Sequence, residues 1–403
     1  MIEAANRLQT VEEYYFSKKL REVNLLIASG KPVINLGIGS PDMQPPKKVL
    51  SAISASFENP IAHKYQSYQG IPELKSAIAE FYKEHFHVNL SPSTEVLPLM
   101  GSKEGIMHIS MAFLNPGDEV LIPNPGYPTY QAVTKLLDAK PVLYDLNEDS
   151  NWLPDLNVLE KRDLSNVKLM WINYPHMPTG TQASHAFFNE LVTFAKKHKI
   201  LIINDNPYSF ILNESPRSIL SVNGAKDVCL ELNSLSKTFN MAGWRVGMVL
   251  GNNEHINAIL KVKSNMDSGM FYGIQKGAVE ALKCSKLWYL SLNSVYEQRR
   301  ELIWKLADAL NCTYDKNTSG LFVWAKLPPF FKSEEFIDTV LKNNHIFISH
   351  VDPNQLVDYC RFLNEFPMIL SYFCSPDPYN LYGSGAGWPK LYGSDCIYII
   401  NNT

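Results

Sequence analysis

Leu232-Asn233-Ser234-Leu235-Ser236-Lys237-Thr238-Phe239-Asn240-Met241-Ala242-Gly243-Trp244-Arg245-Val246-Gly247 is the stretch on which the reading of this chain turns. The apolar run Val228 to Leu232 reads as a strand, and it leads into two hydroxyls and a lysine. An arginine follows eight residues after the lysine, between Gly243 and Gly247. A lysine held near other cations is deprotonated readily enough to attack an aldehyde and form a Schiff base. Two serines and an arginine suit a phosphate, because they offer hydroxyl donors and a planar, permanently charged fork. Gly243 and Gly247 let backbone approach closely. Any one of these residues alone is ordinary; the ordered string is not.

Working outward, Glu119 to Pro123, Val167 to Ile172 and Ile200 to Asn204 are further short, nearly continuous apolar runs, as expected of strands covered on both faces. Helical patterns lie between them: Pro72 to His85, Ser102 to Leu114 and His185 to His198. Phe187, Leu191, Phe194 and Ala195 recur at helical spacing and make one buried face. Such alternation implies a mostly parallel central sheet flanked by helices, an α/β architecture whose ligands sit at the carboxyl ends of strands. After about residue 270 the pattern changes. A long helix is expected over Leu287 to Leu310, then a strand at Gly320 to Leu327 and a helix at Ser333 to Lys342, which together read as a smaller α+β unit. The expected division is 1–45 as an N-terminal arm and part of the small domain, 46–275 as the large domain, and 276–403 as the C-terminal small domain, atypical over 360–403.

The 403 residues suggest two or three domains, and a formal charge of -3 from 37 basic and 40 acidic side chains argues against coating nucleic acid or an anionic membrane. Six cysteines without a Cys-x-x-Cys pair make neither a disulfide framework nor a zinc site, so no metal is expected. No apolar run reaches the ~18 residues a membrane span needs. The start shows no basic and apolar leader pattern, and a cytoplasmic protein is expected.

Other segments fall after the strands. Ile203-Asn204-Asp205-Asn206-Pro207-Tyr208 ends a strand in an acid, with a tyrosine three residues on. Met100-Gly101-Ser102-Lys103-Glu104-Gly105 precedes a helix, so its amides face an anion at a helix N-terminus. Pro123-Asn124-Pro125-Gly126-Tyr127-Pro128 presents a proline-framed aromatic. Together with the lysine string, these resemble the ordered motifs of class I/II aminotransferases, which are fold-type I enzymes dependent on pyridoxal 5′-phosphate, and the match runs from about residue 10 to about 345. The resemblance implies that Lys237 is the Schiff-base lysine and proton shuttle, and that Asp205 partners the pyridine nitrogen. It also implies that Tyr208 binds the ring oxygen and Tyr127 stacks on the ring. It places the phosphate among Gly101, Ser102, Lys103, Ser234, Ser236 and Arg245, with Asn173 also at the cofactor. Tyr65, in Tyr65-Gln66-Ser67-Tyr68-Gln69-Gly70, matches the tyrosine that reaches the neighbouring subunit's phosphate, implying a homodimer with shared sites. Gly39, in Gly37-Ile38-Gly39-Ser40-Pro41-Asp42, matches a backbone contact to the substrate carboxylate.

Two departures stand out. In Asn173-Tyr174-Pro175-His176-Met177-Pro178-Thr179-Gly180, Met177 occupies the place where the family has an asparagine that donates to the ring oxygen. A thioether cannot donate, which leaves Tyr208, with His176 as a possible helper. Beyond Arg300 the sole arginine is Arg361, expected to bind the substrate α-carboxylate, and Phe366 to Thr403 lacks a helical period. Either this lineage closes its small domain differently or the tail impairs the enzyme. The expected activity is transfer of an amino group from an L-amino acid to a 2-oxo acid by a ping-pong mechanism through Lys237. Alternatives are a β-elimination lyase of the same fold, or a catalytically impaired or ligand-sensing relative. Against a sensing regulator, Gly39 comes too early for a preceding DNA-binding domain.

Overall fold

The computed structural model describes residues 2–37 and 39–349 in full, and the backbone alone of Tyr359–Leu363. Of the tail expected to be atypical over 360–403, residues 364–403 lie outside the described residues, and with them the whole of Phe366 to Thr403. In chain order the strands are β1 (Ile34–Asn35), β2 (Val96–Leu99), β3 (Glu119–Asn124), β4 (Lys140–Asp145), β5 (Val167–Ile172) and β6 (Leu201–Asp205). They continue with β7 (Cys229–Ser234), β8 (Gly247–Leu250), β9 (Thr313–Tyr314), β10 (Phe322–Lys326), β11 (Ile346–Phe347) and β12 (Tyr359–Leu363). The chain forms two compact units. The first comprises Met1–Tyr14, Ser40–Asn293 and Thr318–Gly320; the second comprises Tyr15–Gly39, Ser294–Asn317 and the described residues from Leu321 onward.

The first unit is built on a seven-stranded sheet in the order β2-β8-β7-β6-β5-β3-β4. β8 runs antiparallel to both neighbours, and the other six strands share one direction. The mostly parallel sheet expected from the alternating pattern is therefore present. Side chains alternate between its faces at the period of two. Leu169 and Trp171 of β5 join one core with Ile203, Leu232 and Val249, beneath the helices Ser102–Phe113, Pro128–Leu136 and Asn253–Lys263. Met170 and Ile172 join the other core with Ile202 and Met248, beneath Pro72–Phe86, His185–His198 and Tyr272–Leu282. The helix His185–His198 has the bounds its apolar spacing indicates. Ser184 Oγ accepts the Phe187 N–H at 3.0 Å, and Lys199 closes the helix in the left-handed conformation.

Three strands of this sheet escape the sequence pattern: β2, β4 and β8. β2 and β4 are the two edges, and each carries a proline, Pro98 and Pro141, tolerated there because an edge strand has unpaired positions. β7 extends two residues beyond the apolar run, because Ser234 pairs with Gly247 of β8.

The second unit holds two small sheets. β1 pairs in parallel with β11, while β10 lies between β9 and β12 in an antiparallel sheet. β10 begins at Phe322 rather than at Gly320, whose φ of +88° is incompatible with a strand. Leu36, Ile303, Val323, Ala325, Ile337 and Ile346 form its core. Lys19 and Asp338 make an ion pair at 2.8 Å on it.

Candidate active site

The carboxyl ends of β3, β5, β6 and β7 lie side by side, and the residues that follow them converge. β3 leads to Tyr127, β5 to Asn173, β6 ends on Asp205, and β7 ends on Ser234 and turns into the single helical turn Leu235–Thr238 that carries the half-buried Lys237.

An anion cradle forms where the helix Ser102–Phe113 begins. Its first-turn amides have no helical acceptor, and the helix dipole adds positive potential there. Gly101 adopts φ +87°, and the Nη2 of Arg245 lies where a Cβ on Gly101 would be, so glycine is required for the guanidinium to reach this turn. Gly247 performs a similar service from β8: a Cβ there would stand 2.6 Å from Ser102 N and 2.8 Å from Gly101 C. Glu104 Oε2 accepts the Met100 N–H at 2.7 Å and fixes the entry to the helix. Ser234 Oγ lies 2.8 Å from Ser236 Oγ and accepts the Ser236 N–H at 3.1 Å. Arg245 is exposed and donates from Nη1 to the Ala242 carbonyl at 3.0 Å. The Lys103 ammonium sits 4.3 Å over the Tyr14 ring, and partial burial followed by the nearby Arg245 lowers its pKa.

Asp205 is buried, with 6% of its surface exposed. Its Oδ2 accepts a hydrogen bond from Tyr130 Oη at 2.9 Å, while Oδ1 has no hydrogen-bond partner among the described residues. Burial pushes its pKa up to about 7, and the Tyr130 bond works in the opposite direction. Tyr130 itself is fully enclosed and stacks on Trp171 with ring centroids 4.7 Å apart and planes within 6°. Tyr127 meets Tyr130 edge-on at 5.5 Å. Tyr208 begins the turn after Asp205, and its carbonyl accepts the Ile211 N–H at 3.0 Å.

The loop after β5 is held by Asn173. Its Nδ2 donates to the Asp205 carbonyl, and its Oδ1 accepts the Met177 N–H at 2.8 Å, so both ends of the amide engage main chain. His176 is buried, its Nδ1 lies 2.9 Å from Thr179 Oγ1, and burial pushes its pKa down to about 3, which keeps the ring neutral. The Met177 side chain is buried as well.

Tyr65, Gly39 and Arg361 are the remaining candidates from the sequence. Tyr65 belongs to the same unit but is 91% exposed. Gly39 belongs to the second unit. Arg361 lies on β12 opposite Trp324, on a strand described by its backbone alone.

Residues 31–362 match the family of class I and II aminotransferases. This chain belongs to that family. It is 40% identical to an LL-diaminopimelate aminotransferase of Aquifex aeolicus over 343 residues, covering 85% of this chain and 89% of the relative. It is 37% identical over 348 residues to a protein of the same name from Maridesulfovibrio salexigens, covering 86% and 90%. Among solved structures, substrate-bound BacF from Bacillus subtilis superposes with a TM-score of 0.87 at 33% identity, covering 93% of this chain and 96% of that one. An aminotransferase from Staphylococcus aureus gives 0.82 at 29% identity, covering 90% and 95%. The fold is thus that of a fold-type I enzyme, and the chain is a pyridoxal-phosphate-dependent aminotransferase; the lyase and sensor alternatives are not favoured.

The residues of this aminotransferase fit pyridoxal 5′-phosphate on the structure's own terms. The cradle gathers helix-terminal amides, hydroxyls and cations for a dianion, and the unpartnered, buried Asp205 Oδ1 calls for a donor such as a protonated ring nitrogen. Glu104, His108 and Asp267 come within 4.8 Å of one another, a spacing compatible with a metal ion. The buried Lys263 ammonium, however, bonds both Asp267 oxygens at 2.8 and 3.0 Å and already supplies the positive charge there. Among the described residues no helix is long and apolar enough to cross a membrane.

Sequence reasoning passed over Tyr130 and Glu231. Glu231, fully buried on β7, accepts from Tyr82 Oη at 2.9 Å, Ile219 N at 3.1 Å, and Asn204 and Asn206 Nδ2 at 3.3 Å each. A carboxylate inside an otherwise apolar strand is the signal that marks it.

Proposed function

We propose that the cradle formed by Gly101, Ser102, Lys103, Ser234, Ser236 and Arg245 holds the phosphate of the cofactor, and that Lys237 is the lysine to which the cofactor is joined. The observation that carries this reading is the buried Asp205, with Oδ2 bound by Tyr130 and Oδ1 without a partner among the described residues, at the end of the strand beside the one that leads to Lys237. When bound, pyridoxal phosphate supplies an aldehyde for the substrate amine and a ring that withdraws electrons from the substrate Cα. Asp205 keeps the ring nitrogen protonated by accepting from it. Tyr127 covers one ring face, and Tyr208 donates to the ring oxygen in place of the donor that Met177 cannot supply. Asn173 acts through the main chain, tying the Asp205 carbonyl to the Met177 amide. Lys237 Nζ takes the Cα proton of the donor and, in the second half-reaction, delivers a proton to the carbon that becomes the new Cα. Gly39 N–H and Arg361 receive the substrate α-carboxylate.

The donor we propose is LL-diaminopimelate, supported by the names of relatives at 37–40% identity. A homodimer with shared sites is supported by the exposed Tyr65, which lies in a segment with other exposed apolar side chains, Phe57, Ile61 and Tyr68. The free thiols Cys229, Cys284 and Cys312 suit the reducing cytoplasm.

The test is a half-reaction with purified holoenzyme and no acceptor. LL-diaminopimelate should release at most one equivalent of 2-oxo acid per site and no ammonia; continuous 2-oxo acid with ammonia would mean elimination. A reaction with L-aspartate or L-phenylalanine but not LL-diaminopimelate would overturn the donor. Lys237→Ala should retain pyridoxal phosphate without a covalent link, and borohydride reduction that still fixes the cofactor to that variant would overturn the lysine assignment. Sedimentation should give a dimer, and a monomer with full activity would remove the role of Tyr65.

A further inference from the structure

Asp205 is placed in a burial that works against its proposed task. A carboxyl with 6% exposure resists ionisation, yet it must be a carboxylate to hold a protonated ring nitrogen. The structure supplies one donor to it from a side chain, Tyr130 Oη at 2.9 Å. That phenol is itself constrained. Tyr130 is 1% exposed, its ring lies flat on Trp171, and Tyr127 meets it edge-on, so the hydroxyl has little freedom to leave Oδ2. With Oδ2 occupied, Oδ1 is the oxygen left to face a donor, and none reaches it among the described residues.

We infer that Tyr130 is a positioning residue for the aminotransferase reaction: its hydroxyl orients Asp205 and holds it in the carboxylate form, so that the proton shared between Asp205 and the cofactor rests on the ring nitrogen. The inference rests on the reading of Asp205 as the partner of that nitrogen. The energetic scale suits the role. Burial brings the Asp205 pKa to about 7, close to neutrality, so one bond decides where the proton lies. A hydrogen bond to a charged group shifts such an equilibrium roughly 10- to 100-fold. Tyr127 supplies the covering ring; Tyr130, one helical turn on, supplies the donor beneath, and the two tyrosines divide the work of one helix start.

Tyr130→Phe removes the hydroxyl and keeps the ring on Trp171. In the apoenzyme, carbon-13 NMR of the Asp205 carboxyl, identified by its loss in Asp205→Asn, should show proton affinity raised roughly 10- to 100-fold. In holoenzyme loaded with nitrogen-15 pyridoxal phosphate, the ring-nitrogen shift near neutral pH should move toward the unprotonated value. A ring that merely fills the core would move neither signal. Replacing Tyr130 by 3-fluorotyrosine, a stronger acid of nearly the same shape, should move both signals the opposite way, and this second variant serves if the phenylalanine form does not fold. Unchanged signals in a folded variant overturn the inference, as does a carboxyl shift without a nitrogen shift. Asp205→Asn separates the two levels. If it deprotonates the nitrogen while Tyr130→Phe does not, Tyr130 alone is misassigned. If it leaves the nitrogen as in wild type, the reading of Asp205 falls and this inference with it.

Discussion

Gly247→Ala tests the cradle by one methyl group. Gly247 lies in β8 without the positive φ that would bar alanine, so the backbone accepts the residue and the cost is steric. The new Cβ would stand 2.6 Å from Ser102 N, 2.8 Å from Gly101 C and 3.0 Å from Asn233 O, all main-chain atoms that cannot rotate away. Reaching ordinary contact near 3.4 Å requires the Gly101–Ser102 turn to move by about 0.8 Å. Overpacking of this kind costs about 1–3 kcal/mol. Displacing the amide proposed to bond the phosphate would forfeit part of a charged hydrogen bond worth about 1.5–3 kcal/mol. The dissociation constant for pyridoxal phosphate should therefore rise roughly 10- to 100-fold, with a lower apoenzyme Tm. Fluorescence titration of apoenzyme measures it. Pyridoxal, which lacks the phosphate, should lose much less affinity. Gly243→Ala is the control, since nothing lies within 4 Å of its added Cβ. If Gly247→Ala binds pyridoxal phosphate as wild type does, or loses pyridoxal equally, the close passage of β8 does not shape a phosphate site.

The remaining predictions concern buried groups. Asp205 has a folded pKa of about 7, above its ordinary 3.8, so the folded apoenzyme binds more protons than the unfolded chain between those values and stability falls as pH rises through that window. Asp205→Asn should remove this slope and stabilise the apoenzyme at pH above about 8 by up to roughly 4 kcal/mol, while abolishing most activity; denaturant midpoints across pH that match wild type would refute the burial argument. Glu231→Ala strands Tyr82 Oη, Ile219 N and two asparagine amides, and should cost about 3–5 kcal/mol. Urea unfolding that changes by less than about 1 kcal/mol would show that water replaces the carboxylate. Met177→Asn restores a donor that the thioether lacks, and the pH midpoint of the bound cofactor's absorbance change should fall by about one unit; an unmoved midpoint would mean that the neutral His176 or Tyr208 already satisfies the ring oxygen.

How much of this was legible beforehand follows the range of the interactions involved. β5 and the helix His185–His198 have the bounds read from their apolar spacing, because burial of a strand or a helix face is written locally. The edges β2 and β4 were not legible, since prolines and polar ends mask strands whose partners lie far away in sequence. Asn173 is a sharper case. The loop motif marks it as a cofactor residue, whereas the fold turns both ends of its amide to main chain.

By itself the sequence determined the alternation of strands and helices, the lysine string and the order of motifs, hence the family and its cofactor. Those depend on residue type and spacing within a few turns of chain. Tertiary structure alone decided that Asp205 carries a tyrosine 75 residues away on one oxygen, and that Glu231 binds a tyrosine 149 residues earlier. It also decided that Arg245 occupies the space a side chain on Gly101 would fill. These contacts join strands, helices and turns that meet only when the sheet and the helices on its faces assemble. A buried polar group takes its chemistry from what surrounds it in space, and in this sheet those neighbours lie far apart along the chain.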